Sequence, residues 1–327
     1  MEKYIDLHRH LDGSVSNDIA RKLAEISGKV LPEDERELHK LLTVPSDCKS
    51  LNDFLKCFEL PLELMQTPES IEEALRLAIK EAEKEGIIYA EFRFAPGLHT
   101  DKGMCQRDVF EAALKGLEAS PIKTNLIMCL MRGSGNEDAN EETFRLTKEY
   151  LVDDGGVVAL DLAGAESLFP TVRYREIFEK ARANRIPFTI HAGEADGAGS
   201  IARAIEYGAS RIGHGVRITE NKELLKTVID REIPLEMCPT SNLMTCAVDG
   251  IANHPFMDLM EKGVKVTLNT DDPAIEGTTI AEEYNIIEKE FGMTSEQKTQ
   301  IFMNSIEAAF TTPAVKNYLK SLTGKDD

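Results

Sequence analysis

The chain has 327 residues, 42% of them hydrophobic, and its 57 acidic residues against 38 basic ones leave a formal net charge of −19. That is ample apolar material for a core, while the acid excess and the lack of a basic cluster exclude polymeric nucleic acid as a partner. No apolar run reaches the ~18 residues that a membrane span needs, and Met1-Glu2-Lys3-Tyr4-Ile5-Asp6 lacks a signal-peptide layout, so a cytoplasmic location away from any membrane is expected.

Tyr4–Leu7 alternates apolar and polar residues and predicts a first strand. It delivers His8 and His10, which two residues apart in extended chain share a face, with Asp12 farther out on the same alternation. From Asn17 to Glu85 the pattern turns helical, punctuated by Pro32, Pro45, Pro61 and Pro68. That is too long for one crossover helix. It predicts a helical insertion on the face that holds His8 and His10, hence a lid, closed by an amphipathic helix over Ser70–Lys84 that Gly86 stops.

A regular beat follows. Strands are predicted over Ile87–Phe94, Thr124–Met131, Val157–Leu162, Pro187–His191, Arg211–Gly213, Ile233–Met237 and Lys265–Asn269. Helices between them are predicted over Arg107–Glu118, Glu141–Tyr150, Tyr174–Asn184, Ser200–Tyr207, Asn221–Asp230 and Pro255–Lys262. With the first strand this makes eight βα units, and no GxGxxG or Walker pattern favours an open nucleotide-binding sheet. The expected fold is α/β, a (β/α)8 TIM barrel in a single domain over residues 1–327, with the helical insertion at about 17–85. Ala281–Phe291 and Thr294–Phe310 supply the last helix and an extra C-terminal one, and Gly324–Asp327 is expected to fray.

In such a barrel the C-terminal strand ends carry the chemistry. There the pattern places His8 and His10, Asp161 to Gly164, His191 and Glu194, His214, and Asp271 and Asp272. His39 and His254 read as surface or capping residues, and His99 as a solvated loop residue or part of the pocket rim. The six cysteines show no CxxC spacing and read as reduced, mostly buried thiols, so any metal must be held by histidine and carboxylate. His191 followed by Glu194 is, alone, equally compatible with a hydrogen-bonded structural histidine. In company, His8, His10, His191 and Asp271 make three nitrogens and one oxygen, a set that suits zinc or a similar divalent ion with one position left for water. Such an ion lowers the pKa of water from ~15.7 to about 7, on the order of 12 kcal/mol in the cost of making hydroxide. Glu194 and His214 remain as proton handlers.

These residues resemble a known family. His8-Arg9-His10-Leu11-Asp12-Gly13-Ser14, Asp161-Leu162-Ala163-Gly164, His191-Ala192-Gly193-Glu194, Gly213-His214-Gly215, Cys238-Pro239-Thr240-Ser241-Asn242 and Leu268-Asn269-Thr270-Asp271-Asp272-Pro273 are similar, in the same order, to the motifs of adenosine deaminases in the metal-dependent amidohydrolase superfamily. The resemblance implies one Zn2+ per chain on His8, His10, His191 and Asp271. It implies catalytic roles for Glu194, His214 and Asp272: Glu194 protonates the purine nitrogen beside the attacked carbon, His214 orients or deprotonates the water, and Asp272 contacts the other ring. His10, Asp12, Gly164 and Asp272 would line the substrate, Asp12 accepting the ribose 5′-hydroxyl. The implied reaction is hydrolysis of adenosine or 2′-deoxyadenosine, small-molecule purine nucleosides of salvage metabolism, to inosine or deoxyinosine and ammonia. No lysine follows the fourth strand, which favours one metal over two, and Asp12 would repel a 5′-phosphate. Adenine deaminase is the alternative within the family, and a metal-stabilised purine-binding barrel the alternative outside catalysis.

Overall fold

A computed structural model describes residues 2–45, 48 and 50–322. Eight strands run in chain order: β1 (Tyr4–His10), β2 (Ile87–Phe94), β3 (Lys123–Met131), β4 (Val157–Ala163), β5 (His191–Ala192), β6 (Ile212–His214), β7 (Leu235–Met237) and β8 (Val266–Leu268). All neighbours pair in parallel, as two sheets ordered β1-β2-β3-β4 and β5-β6-β7-β8. Single parallel bridges, Leu160 to Phe188 and Arg9 to Asp271, join the two halves at both seams. The second seam is tied by His10 N–H to Asp271 O and Asp271 N–H to His8 O, each 2.8 Å. The strands complete a (β/α)8 barrel.

Several boundaries shift from expectation, two of them for clear physical reasons. The first strand continues to His10 because its second half pairs with Phe92 and Arg93 after a register shift between Asp6 and Arg9. The fifth strand pairs regularly only over His191–Ala192. Pro187, where it was expected to start, has no N–H to give to a ladder and serves only as an acceptor for Leu160.

The insertion is helical as expected, with segments over Asn17–Ser27, Glu35–Leu42, Leu51–Phe54, Glu59–Leu64 and Pro68–Lys84. Local chemistry sets these ends: Ser16 and Asp34 cap N-termini, Gly28 closes the first helix at φ 70°, and Thr67 caps the last with Pro68 in its first turn. Ile71, Ala74, Leu75, Ala78, Ile79 and Ala82 recur at helical spacing and are buried, which docks that helix on the barrel. Phe54 and Phe58, from the middle of the insertion, pack with Ile275 beyond β8 and so cover the C-terminal strand ends.

A helix over Pro313–Lys320 was not anticipated. Its signal was present in Thr312, which caps it, and in Pro313, which opens it. Val315 and Leu319 bury against Ile5, Leu7 and Ile306 and plug the end of the barrel opposite the insertion. The expected frayed tail lies outside the described residues. Among the described residues no helix is long and apolar enough to cross a membrane.

Candidate active site

Four predicted ligands from three places in the chain meet at the β1/β8 seam. One donor atom from each of His8, His10, His191 and Asp271 lies within 4.8 Å of all the others. His8 Nε2 is 3.0 Å from His191 Nε2 and 3.1 Å from Asp271 Oδ1, and His10 Nε2 is 3.2 Å and 3.4 Å from the same two atoms. Ligands held at ~2.0–2.1 Å around a tetrahedral ion stand about 3.3–3.4 Å apart, so the spacing fits a metal.

Polarity makes the same case. His8 Nδ1 donates to Glu236 Oε2 at 2.8 Å, which leaves Nε2 bare. His191 Nδ1 faces Asp161 Oδ2 at 2.9 Å, which favours the ring hydrogen on that side and leaves Nε2 bare. Two imidazole lone pairs and a carboxylate oxygen therefore converge in a buried space, an arrangement that repels itself unless a cation stands between them. Burial pushes the His8 and His10 imidazoles down, toward the neutral form a metal needs. At His191 burial is outweighed by Asp161, which pulls it up. Asp271 is held well below the usual carboxylate range, its burial outweighed by His8 and His214.

The orienting carboxylates are themselves fixed. Arg93 Nη1 donates to Asp161 and Nη2 to Glu236, each at 2.8 Å, and Nη2 also reaches Leu7 O at 2.6 Å. Arg211 bridges Glu236 and Glu91 beneath. All five side chains are buried in the barrel interior. Sequence reasoning assigned no role to Arg93, Glu236, Arg211 and Glu91, because a charged residue within a strand carries no local mark of its distant partner. A weak signal existed: in a parallel strand buried on both faces, a charge has to have a partner.

Glu194, His214 and Asp272 face the same pocket, with His10, Asp12, Gly164, Phe54, Phe58 and Leu62 among its lining. Burial pushes the Glu194 carboxyl up, and its Oε1 accepts from Thr245 Oγ at 2.9 Å. The turn that carries it is clamped by Glu166, whose oxygens accept from the backbone N–H of Gly193, Glu194, Ala195 and Asp196 at 2.7–3.0 Å. Sequence reasoning gave Glu166 and Thr245 no role. His214 and Asp271 hold positive φ of 59° and 70°, a costly conformation that turns both side chains inward at the strand ends. Asp272 is pushed well up, by burial first and then by Asp271, and its Oδ1 has no hydrogen-bond partner. Gly13 makes room for it, since a Cβ there would stand 1.8 Å from Asp272 Oδ1. Asp12 is buried with Oδ1 unpartnered, and burial raises its carboxyl to about 7.

The other histidines divide. His39 is exposed, as expected. His99 is neither solvated nor on the rim: it is buried, with Nδ1 2.9 Å from Met65 O. His254 was expected at the surface or as a cap; it accepts from Phe256 N–H as a cap does, but it is buried behind His214. The cysteines are free, yet only Cys129 and Cys238 are buried.

Fold and site together define a metal-dependent hydrolase barrel with its donor cluster at the C-terminal strand ends. The family model described as adenosine deaminase matches residues 4–325, and the chain belongs to that family. An adenosine deaminase from Haemophilus ducreyi is 44% identical over 322 residues, 96% of this chain and 94% of the relative. One from Enterococcus faecalis is 35% identical over 319 residues, 96% and 94% of the two chains. Among solved structures, an adenine deaminase from Arthrobacter aurescens superposes with a TM-score of 0.89 at 25% identity over 98% of each chain. An Arabidopsis N6-mAMP deaminase superposes with a TM-score of 0.84 at 26% identity, covering 98% of this chain and 96% of the other.

Proposed function

We propose that this enzyme deaminates adenosine and 2′-deoxyadenosine hydrolytically, with one zinc ion held by His8, His10, His191 and Asp271. The observation that carries the reading is the convergence of three imidazole nitrogens and a carboxylate oxygen beside two buried proton-bearing groups, Glu194 and His214, in one pocket. Zinc in that cluster supplies a Lewis acid that makes water acidic enough to attack at neutral pH. Glu194, whose carboxyl burial pushes up toward the protonated form, gives a proton to the ring nitrogen next to the attacked carbon, so charge does not build on the purine as that carbon becomes tetrahedral. His214 holds the attacking water. Asp272, pushed toward the protonated form by burial and then by the charge of Asp271, donates to the imidazole ring of the purine. Asp12 meets the 5′-hydroxyl, and the backbone at Gly164 lies along the base.

A nucleoside fits better than a nucleotide. Among the described residues no Lys or Arg lines this pocket, and a 5′-phosphate would be placed against Asp12. The likeness to an adenine deaminase supports free adenine as the second reading. A panel of adenosine, 2′-deoxyadenosine, adenine and AMP, read by ammonia release alongside metal analysis, decides. Turnover of both nucleosides with one zinc per chain is expected; preference for adenine or AMP overturns the substrate, and bound zinc without turnover leaves a purine-binding barrel.

A further inference from the structure

His214 presents Nε2 to the pocket, 3.7 Å from both Glu194 Oε2 and Asp271 Oδ2. Its other nitrogen points back into the protein and starts a chain of contacts that sequence reasoning did not foresee. His214 Nδ1 is 3.1 Å from Asn242 Nδ2, Asn242 Oδ1 is 3.2 Å from His254 Nε2, and His254 Nδ1 is 3.3 Å from the backbone N of Phe256. The three side chains are 1%, 0% and 3% exposed, which leaves bulk water little access to compete for these bonds.

The direction of each bond follows from the backbone end. The Phe256 N–H opens the helix Phe256–Glu261 and can only donate. His254 Nδ1 must therefore be bare, and a neutral imidazole with bare Nδ1 carries its hydrogen on Nε2. Burial pushes this imidazole down to about 3, so it stays neutral. His254 Nε2–H then donates, and Asn242 must offer its oxygen to it. That choice turns the amide NH2 toward His214. Asn242 Nδ2–H donates to His214 Nδ1, which is left bare in turn. The pocket end agrees: a lone pair on Nε2 would face the Asp271 carboxylate, whereas an N–H suits it.

We propose that Asn242 and His254 are positioning residues that leave His214 Nδ1 bare and keep its hydrogen on Nε2, so that His214 meets the attacking water as a donor and not as its base. The proposal rests on the placement of His214 at the attacking water given under Proposed function. It separates the two roles the family resemblance left open for His214, orienting the water or deprotonating it, in favour of orienting.

The test uses the metal-loaded enzyme with 15N-labelled histidine, His214 being identified by the signal lost in His214→Gln. The expected spectrum has His214 Nδ1 and His254 Nδ1 both without hydrogen; hydrogen on His214 Nδ1 overturns the proposal, whatever the variants do. In Asn242→Asp, a near-isosteric carboxylate accepts from both rings and draws hydrogen onto His214 Nδ1. Its kcat should fall about 10²-fold or more with KM little changed, and further than in Asn242→Ala, where the ring is free to keep its hydrogen on Nε2. A role in packing alone predicts the reverse order, with the isosteric variant milder, and that result also overturns the proposal. Failure of the functional reading looks different: wild type with the expected ring spectrum but no turnover of adenosine.

Discussion

The two halves of the barrel are built differently. β1 to β4 have 7, 8, 9 and 7 residues, and β5 to β8 have 2, 3, 3 and 3. The long half gives extended ladders, interrupted only by local register shifts, that hold Arg93 and Asp161 inside. The short half releases its chain early into turns at positive φ, at Gly193, His214 and Asp271, and these swing side chains inward. Rigid strands thus orient the donors, while strained turns aim Glu194, His214 and Asp271 at the reacting atoms. The candidate cluster takes His8 and His10 from one half and His191 and Asp271 from the other, so it bridges the seam.

That division can be broken first at the cluster. His191→Ala removes the donor closest to both other imidazoles and should abolish metal binding and turnover together; stoichiometric zinc after dialysis, by elemental analysis, would refute its ligand role. Glu194→Gln touches only the short half. It should keep zinc and KM while kcat falls by about 10²–10⁴, and unchanged kcat in steady-state assays would remove Glu194 as the acid.

Arg93→Gln tests the long half. It strips two buried carboxylates, Asp161 and Glu236, of their shared cation. Breaking a buried pair costs about 3–5 kcal/mol, so denaturant unfolding should show a loss of that order, accompanied by weaker zinc affinity in competition with a chelator. A stability loss with unchanged affinity would mean that Arg93 supports the barrel without orienting His8 and His191.

The smallest effect sharpens the account of the short half. Glu283 is buried beside the β7 and β8 loops, accepts from Thr278 Oγ at 2.7 Å and Thr240 N–H at 3.1 Å, and is raised to about 7, chiefly by burial. A carboxyl raised above its unfolded value favours the folded state while protonated. Its contribution is therefore complete below about pH 4.5 and is lost as pH rises to about 7, on the order of 1–3 kcal/mol. Wild type should lose this much between pH 4.5 and 7 relative to Glu283→Gln in paired unfolding curves, and parallel pH profiles would show that Glu283 does not titrate in this window.

The strand beat, the insertion and the clustering of His8, His10, His191, Glu194, His214, Asp271 and Asp272 at one end were legible in the chain, because they rest on local regularities. A two-residue strand period puts His8 and His10 on one face, and barrel topology sends every strand end to the same rim. The structure alone decided what holds those groups. Glu236 meets His8 across 228 positions and Arg93 across 143, Glu166 reaches 27 to 30 positions to the Glu194 turn, and His254 finds His214 through Asn242. Glutamate, arginine and a histidine before proline carry no local mark of burial, since only the packed interior, where an unpaired charge is costly, determines which of them must find each other.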